Sequence, residues 1–207
     1  MINEYTDLRS LCDTCRSFAT LKKYINYKLN KQYSLMYYDD ILVRNIVLNK
    51  IFNPIKQLHL NLNDCDNITD VSALGNVHTL NLSDCKNITD VSTLGNVNTL
   101  DLSQCKQITD VSALGNVYEL SLCDCEITDV SALGNVYDLD LKYCDKITDV
   151  SALGNVHTLN LMCCNNITDV SMLGNVHTLD IRNCKNITDV SFSAIVRNVH
   201  TLKTAWW

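Results

Sequence analysis

The sequence predicts an α/β solenoid, a stack of parallel β-strands joined by short turns, with an α-helical cap at its N-terminal end. The segment from Ile68 to Cys85 recurs almost verbatim along the chain. Each copy holds a Leu-x-Leu pair, and successive pairs lie 20, 20, 20, 19, 20, 20 and 23 residues apart. The first leucines of these pairs are Leu60, Leu80, Leu100, Leu120, Leu139, Leu159, Leu179 and Leu202, and in the last two coils Ile181 and Thr204 replace the second leucine. A coil of this length cannot bury its apolar side chains alone, so stacked coils must share one core.

The Leu-x-Leu pair of each coil predicts a short β-strand. Leu80 and Leu82 alternate with Thr79 and Asn81, and side chains alternate between the two faces of a strand. We therefore expect eight strands with leucines on the core side and polar residues on the outer side.

The second part of each coil predicts a 3₁₀ turn. Three apolar residues recur there at the three-residue spacing that suits such a turn: Ile68, Val71 and Leu74. Asp70 and Ser72 are expected to cap the turn through their side-chain oxygens. All six glycines occupy the position of Gly75, and the pair Gly75-Asn76 is expected to leave the turn in a left-handed conformation.

Seven of the 11 cysteines fall into one column of the repeat, which we call the cysteine ladder: Cys65, Cys85, Cys105, Cys125, Cys144, Cys164 and Cys184. Buried thiols there would act as small apolar groups whose S–H donates weakly to backbone carbonyls. One thiol per coil lacks the paired spacing of a zinc site, and seven cannot all pair as disulfides. Reduced thiols indicate a cytoplasmic or nuclear protein. Cys123 and Cys163 lie off the ladder and are predicted to be the most reactive thiols.

These motifs also carry a resemblance. The pattern Leu-x-x-Leu-x-Leu-x-x-Cys/Asn resembles the leucine-rich-repeat signature from about Leu58 to Leu202. The Ile-Thr-Asp-Val-Ser-x-Leu portion is similar to the bacterial internalin type, and a ladder cysteine before Ile-Thr-Asp resembles the cysteine-containing type found beside F-box motifs. The resemblance implies a leucine-rich repeat of parallel strands and 3₁₀ turns that serves in protein–protein interaction.

The first 57 residues differ from the remainder in charge and periodicity. Residues 1–57 carry nine Lys/Arg against five Asp/Glu, a net charge of +4, whereas residues 58–207 carry a net charge of −10. Apolar residues in the first segment recur at helical spacing, and Pro54 precedes the first predicted strand. We expect two domains, a helical cap at 1–57 and the eight-stranded solenoid at 58–207.

A stretch of the N-terminal segment, residues 8–21, resembles the second half of an F-box. That resemblance implies docking onto the adaptor subunit of a cullin-RING ubiquitin ligase through residues 1–57. The first half of the F-box motif is not present upstream of it. Two interpretations stay open: a ligase subunit that recruits substrates, or a stand-alone scaffold or inhibitory binder whose N-terminal segment only caps the solenoid.

The outer strand positions vary between coils, while the turn positions hardly change. In the central coils they form what we call the acidic patch, which consists of Asp101, Glu119, Asp124, Asp138 and Asp140. The other candidate partner-binding residues are Tyr118, Tyr137, Lys142, Tyr143, Met162 and Arg182. Acidic groups with aromatic neighbours favour a partner with a basic segment. The alternative is a solvated surface that only keeps the protein in solution.

Other classes of function find little support in the sequence. The seven repeated aspartates, from Asp70 to Asp189, are interpreted as turn caps, and no catalytic set, cofactor motif or metal-binding motif stands out. We therefore expect no enzyme, no cofactor and no metal. Nucleic acid would meet negative charge, and no run of apolar residues is long enough to span a membrane. The chain ends in Trp206 and Trp207, which predicts a monomer capped by them or a dimer formed through this end.

Overall fold

The computed structural model describes residues 27–28, 31–41, 44, 58–196 and 199–204. Contacts divide the chain into two compact units, Met1–Asn61 and Leu62–Trp207. Within the described residues, no helix has both the length and the apolar character needed to cross a bilayer.

The first unit contains strand β1 (Tyr27–Lys28), helix α1 (Lys31–Asp39) and strand β2 (Leu58–Asn61). β1 and β2 pair in parallel, and the buried Ser34 hydroxyl on α1 accepts the Asn61 N–H at 3.0 Å. Helix α1 agrees with the predicted helical segment, but strand β1 was not predicted. The F-box-like stretch 8–21 lies outside the described residues.

The second unit is a parallel sheet of seven short strands, one per coil. They are β3 (Thr79–Asn81), β4 (Thr99–Asp101), β5 (Glu119–Ser121), β6 (Asp138–Asp140), β7 (Thr158–Asn160), β8 (Thr178–Asp180) and β9 (Thr201–Lys203). Neighbouring strands pair with equivalent residues opposite each other, as Leu80 opposite Leu100. Together with β2, these are the eight strands expected at the Leu-x-Leu pairs, and the prediction is confirmed.

The core of the second unit is built from repeated columns of apolar side chains. Ile68, Leu74 and Leu82 are fully buried, and the equivalent residues are buried in the coils that follow up to the ladder residue Cys184. Because each column continues from one coil to the next, no internal coil exposes its apolar cross-section to water.

Short 3₁₀ helices return the chain from one strand to the next, as the three-residue spacing predicted. They span Ser72–Leu74, Ser92–Leu94, Ser112–Leu114, Ser131–Leu133, Ser151–Asn155 and Ser171–Asn175. Before each one, an aspartate Oδ1 accepts the backbone N–H of the first helical serine at 2.8–2.9 Å, as Asp70 does from Ser72. The predicted aspartate caps are therefore confirmed in six coils.

The last coil departs from this pattern. Its longer spacing accommodates helix α2 (Asp189–Ile195) in place of a 3₁₀ turn, and Thr188 is the N-cap, its side chain accepting from the Ser191 N–H. Asp189, expected to be the seventh turn cap, is instead the first residue of this helix.

The left-handed exit predicted at Gly75 is wrong. Gly75 has φ −63°, and the described glycines all have negative φ. Glycine is required there for space, because a Cβ on Gly95 would lie 2.3 Å from the carbonyl oxygen of Ala113 in the next coil. The left-handed residues, with φ of 55–64°, directly precede the ladder cysteines: Asp64, Asp84, Gln104, Asp124, Tyr143, Cys163 and Asn183.

Candidate binding face

The cysteine ladder is a structural feature of the core. The thiol of Cys85 donates to the carbonyl oxygen of Leu62 at 3.1 Å, and the five ladder thiols that follow make the same bond at 2.9–3.2 Å. Burial raises the pKa of Cys85 to about 11 and that of Cys105 to about 12. Such thiols carry very little thiolate at neutral pH, so the ladder is suited to packing rather than to chemistry.

Cys123 and Cys163 differ from the ladder cysteines in exposure, since both are half-buried free thiols. Burial raises the pKa of the Cys123 thiol as well, while the Lys142 charge opposes that shift. Their greater reactivity remains a prediction.

The register of the sheet brings acidic side chains side by side on its outer face. Glu119 on β5 lies directly opposite Asp138 on β6, and both are exposed. Partial burial raises the pKa of Asp138, and the negative charges of Glu119 and Asp140 raise it further. Two carboxylates in direct opposition destabilise a sheet.

Asp101 and Asp140 also have a local structural role that the sequence did not reveal. The Oδ1 of Asp101 accepts the Ser103 N–H at 3.0 Å, and that of Asp140 accepts the Lys142 N–H at 2.9 Å. The same bond forms in other coils, where the acceptors are Asn81, Asn160 and Asp180. This column closes the ends of β3, β4, β6, β7 and β8, and either Asn or Asp can do so.

Asp124 and Tyr143 lie in the turn after the strand rather than on the strand itself, since both have left-handed backbone. Asp124 forms an ion pair with Lys106 at 3.1 Å. The ammonium of Lys142 lies 5.7 Å from the centre of the Tyr143 ring. These two candidates therefore line the rim of the face.

The last two candidates, Met162 and Arg182, lie toward the C-terminal coils. Met162 is half-buried, and the Arg182 guanidinium contacts both carboxylate oxygens of the buried Asp180, with Nη2 at 2.6 Å from Oδ2. Because this pair neutralises itself, the uncompensated negative charge of the strands lies on β4, β5 and β6.

Five aromatic rings stack along one edge of the sheet, and we call this set the ring column: Tyr118, Tyr137, His157, His177 and His200. Successive ring centres lie 4.4–4.7 Å apart, and the rings are parallel to within 12°. The sequence analysis did not predict this stack. The signal was their shared repeat position, because in-register parallel strands align equivalent side chains.

The histidines of the ring column do not suggest a metal site. Among the residues that the structure describes, no group of three His, Cys, Asp or Glu side chains is placed to hold an ion. Burial and the neighbouring His200 and His157 lower the pKa of His177. The His177 ring is therefore largely uncharged at neutral pH.

Comparisons with known proteins bear on the fold. No family model matches the chain, and no curated protein matches it. Several solved structures do, among them an internalin, InlF, from Listeria monocytogenes, which is 23% identical with a TM-score of 0.58. That match covers 85% of this chain and 58% of InlF, so the chain spans less than two thirds of its relative's length.

Two further structures from Listeria monocytogenes are similar at lower scores. Internalin C2 is 24% identical over 80% of this chain and 66% of its own, with a TM-score of 0.45. The functional domain of InlJ, described as including a cysteine ladder, is 20% identical over 69% of this chain and 43% of its own, with a TM-score of 0.39. The coils, the register and the match to InlF together identify the fold of this chain as the leucine-rich-repeat solenoid.

Proposed function

We propose that the chain is a protein-interaction module that binds a partner on the outer face of strands β4–β7. The observation that carries this proposal is the direct opposition of Glu119 and Asp138 beside the exposed, stacked rings of Tyr118 and Tyr137. This arrangement presents negative charge together with aromatic surface, the combination that suits a basic protein segment.

The direct opposition of the two carboxylates is energetically unfavourable. Opposed like charges destabilise a strand pair by roughly 0.2–1 kcal/mol, and Thr158 opposite Thr178 shows that the same position accepts neutral residues. Local features that disfavour folding are expected at functional sites. The alternative, a surface that only confers solubility, does not require the acids to lie next to each other.

The proposed binding face can be tested by making the same charge change on the strand face and on the turn side of the solenoid. The double variant Asp138→Asn/Asp140→Asn removes two negative charges from the face, and Asn can keep the bond to the Lys142 N–H. The variant Asn116→Lys/Asn135→Lys makes the same net charge change on the turn side, where both residues are exposed. Each would be used for affinity purification from the native cell, with quantitative mass spectrometry of bound proteins.

We expect the face variant to lose its specific partners by about tenfold, which corresponds to about 1.4 kcal/mol, and the turn-side variant to retain them. Partners that both variants and the parent chain recover equally would contradict the proposal and leave the acids with a solubilising role. Charge steering on the face also predicts that association slows as salt is raised.

The link to a ubiquitin ligase is a finer proposal and rests only on the resemblance of residues 8–21 to an F-box. The full chain would be mixed with the purified adaptor subunit and analysed by size-exclusion chromatography. Co-elution supports a substrate-recruiting subunit, whereas its absence favours the stand-alone scaffold or inhibitory binder. A cytoplasmic or nuclear location is likewise a proposal, supported by the nine free thiols among the described cysteines.

A further inference from the structure

The ring column ends at Tyr118 because the preceding coil carries Asn98 in its place. Thr99 on β4 lies opposite Glu119 on β5, so Asn98 and Tyr118 occupy equivalent positions in adjacent coils. The Oδ1 of Asn98 lies 3.4 Å from the Thr99 hydroxyl, much as the Nδ1 of His157 lies 3.4 Å from the Thr158 hydroxyl. The Asn98 amide oxygen thus takes the place of the ring nitrogen next to the threonine, but the side chain lacks the ring atoms beyond it.

The Asn98 side chain is shorter than a Tyr or His ring, so the outer part of the Tyr118 face that does not stack on Tyr137 has no ring opposite it; we call this position the ring gap. One face of Tyr118 stacks on Tyr137 at 4.7 Å, and the side chain is 45% exposed. An aromatic face in such a position attracts planar groups and cations through its quadrupole.

Negative charge lies beside the ring gap. The Oε2 of Glu119 accepts a hydrogen bond from the Thr99 hydroxyl at 3.3 Å, which brings the carboxylate toward the Asn98 coil. The Glu119 charge also acts on His78, one coil further along the edge: burial lowers the pKa of His78, and the negative charge of Glu119 opposes that shift. Asp101 lies on the same strand as Thr99, and Asp138 lies opposite Glu119.

We propose that the ring gap binds the guanidinium group of an arginine in the basic segment of a partner protein. This inference rests on the proposed function and specifies its chemistry. A guanidinium is planar, so it can continue the stack on Tyr118, and its N–H groups can donate to the Glu119 carboxylate and the Asn98 amide oxygen. A lysine ammonium supplies the charge but cannot stack.

The test uses small probes, because the partner is unidentified. N-acetyl-arginine amide and N-acetyl-lysine amide would be titrated into the ¹⁵N-labelled full chain, with amide shifts followed by NMR. We expect the arginine probe to shift the amides of Asn98, Thr99 and Tyr118 and to bind about threefold to fivefold more tightly than the lysine probe, because the planar guanidinium both stacks on the ring and donates to two acceptors.

Three variants make the test specific to the ring gap. Asn98→Tyr fills it with the residue that the next coil already accommodates, and we expect the arginine shifts to vanish. Asn96→Tyr adds the same side chain at an exposed turn position and should leave them unchanged. Glu119→Gln keeps an acceptor for Thr99 and should weaken arginine binding by at least threefold.

Equal affinity for the two probes, or arginine shifts that survive Asn98→Tyr, would overturn the proposal. Failure here is distinguishable from failure of the proposed function. A chain that loses its partners upon Asp138→Asn/Asp140→Asn but ignores the arginine probe has a binding face without an arginine site. A chain that binds the probe while its partners are unaffected has the site without the proposed face.

Discussion

Gln104 has a backbone conformation that suits its side chain poorly. Its φ is 64°, whereas equivalent positions hold Asp64, Asp84, Asp124 and Asn183. Left-handed backbone disfavours most L-residues by roughly 1–2 kcal/mol, and Asn and Asp tolerate it best. Gln104→Asn should therefore stabilise the chain by about 0.5–1 kcal/mol, measured as the midpoint shift in urea unfolding.

The matched control at this position is Gln104→Ala, which shortens the side chain without improving left-handed tolerance. We expect no gain from it. Equal stabilisation by Asn and Ala would show that side-chain length, and not backbone conformation, limits stability at this turn.

Individual residues also show how far sequence reasoning reaches. The buried columns were predictable because burial imposes the repeat period directly. The shared position of the glycines was visible too, but their reason was not, since it lies in the close approach of the next coil's carbonyl. The left-handed backbone before the ladder cysteine could not be predicted from Tyr143 and Cys163, because neither residue type is typical of that conformation.

At the end of strand β6, one carboxylate has a favourable hydrogen bond but an unfavourable charge. Asp140 closes strand β6 through the Lys142 N–H, yet burial raises its pKa. A carboxyl whose pKa is raised in the folded state is fully tolerated below its ordinary value of 3.8 and becomes destabilising as pH rises through the folded pKa. Asp140→Asn should therefore stabilise the protein at neutral pH.

The expected gain is roughly 0.3–1 kcal/mol, because solvent screens a half-exposed group, and it should vanish below the ordinary carboxyl pKa. Thermal unfolding of both proteins, followed by circular dichroism from neutral pH to pH values below the ordinary carboxyl pKa, measures this gain in stability. A gain that persists in acid would contradict the electrostatic explanation.

The same substitution at the same position of strand β8 provides a control of opposite sign. Burial alone would raise the pKa of Asp180, but hydrogen bonds from Arg182 outweigh it and hold the pKa below its ordinary value. Asp180→Asn should therefore destabilise the protein at neutral pH, and the difference should shrink as pH falls through the lowered pKa.

The elements differ in how visible they were in the sequence. Strand and 3₁₀ turn follow from spacings within one coil, so both could be predicted. The ring column and the Glu119–Asp138 pair depend on register between coils, and the sequence predicts them only once equivalent residues are assumed to align. Strand β1 carries just two residues, too few for any periodic pattern.

Across the solenoid, stability is distributed over interfaces between neighbouring coils, since each coil contacts only those beside it. The cysteine ladder places one buried thiol in each coil, so each thiol can serve as a probe of the stability of its own coil. A thiol that donates to the preceding coil can be alkylated only after that contact opens and the proton is lost. Its modification rate therefore reports local opening along the molecule.

We predict a gradient of alkylation under native, mildly alkaline conditions. Cys123 and Cys163, which are half-buried, should react first, and the central ladder residues Cys105, Cys125 and Cys144 last and at one shared rate, because they open only when the whole stack does. Iodoacetamide labelling over time, with peptide mass spectrometry and a fully unfolded control, measures each site. Central ladder thiols that react as fast as Cys123 would show that coils open independently. Disulfide-linked ladder cysteines in protein from the native cell would contradict the proposed cytoplasmic or nuclear location.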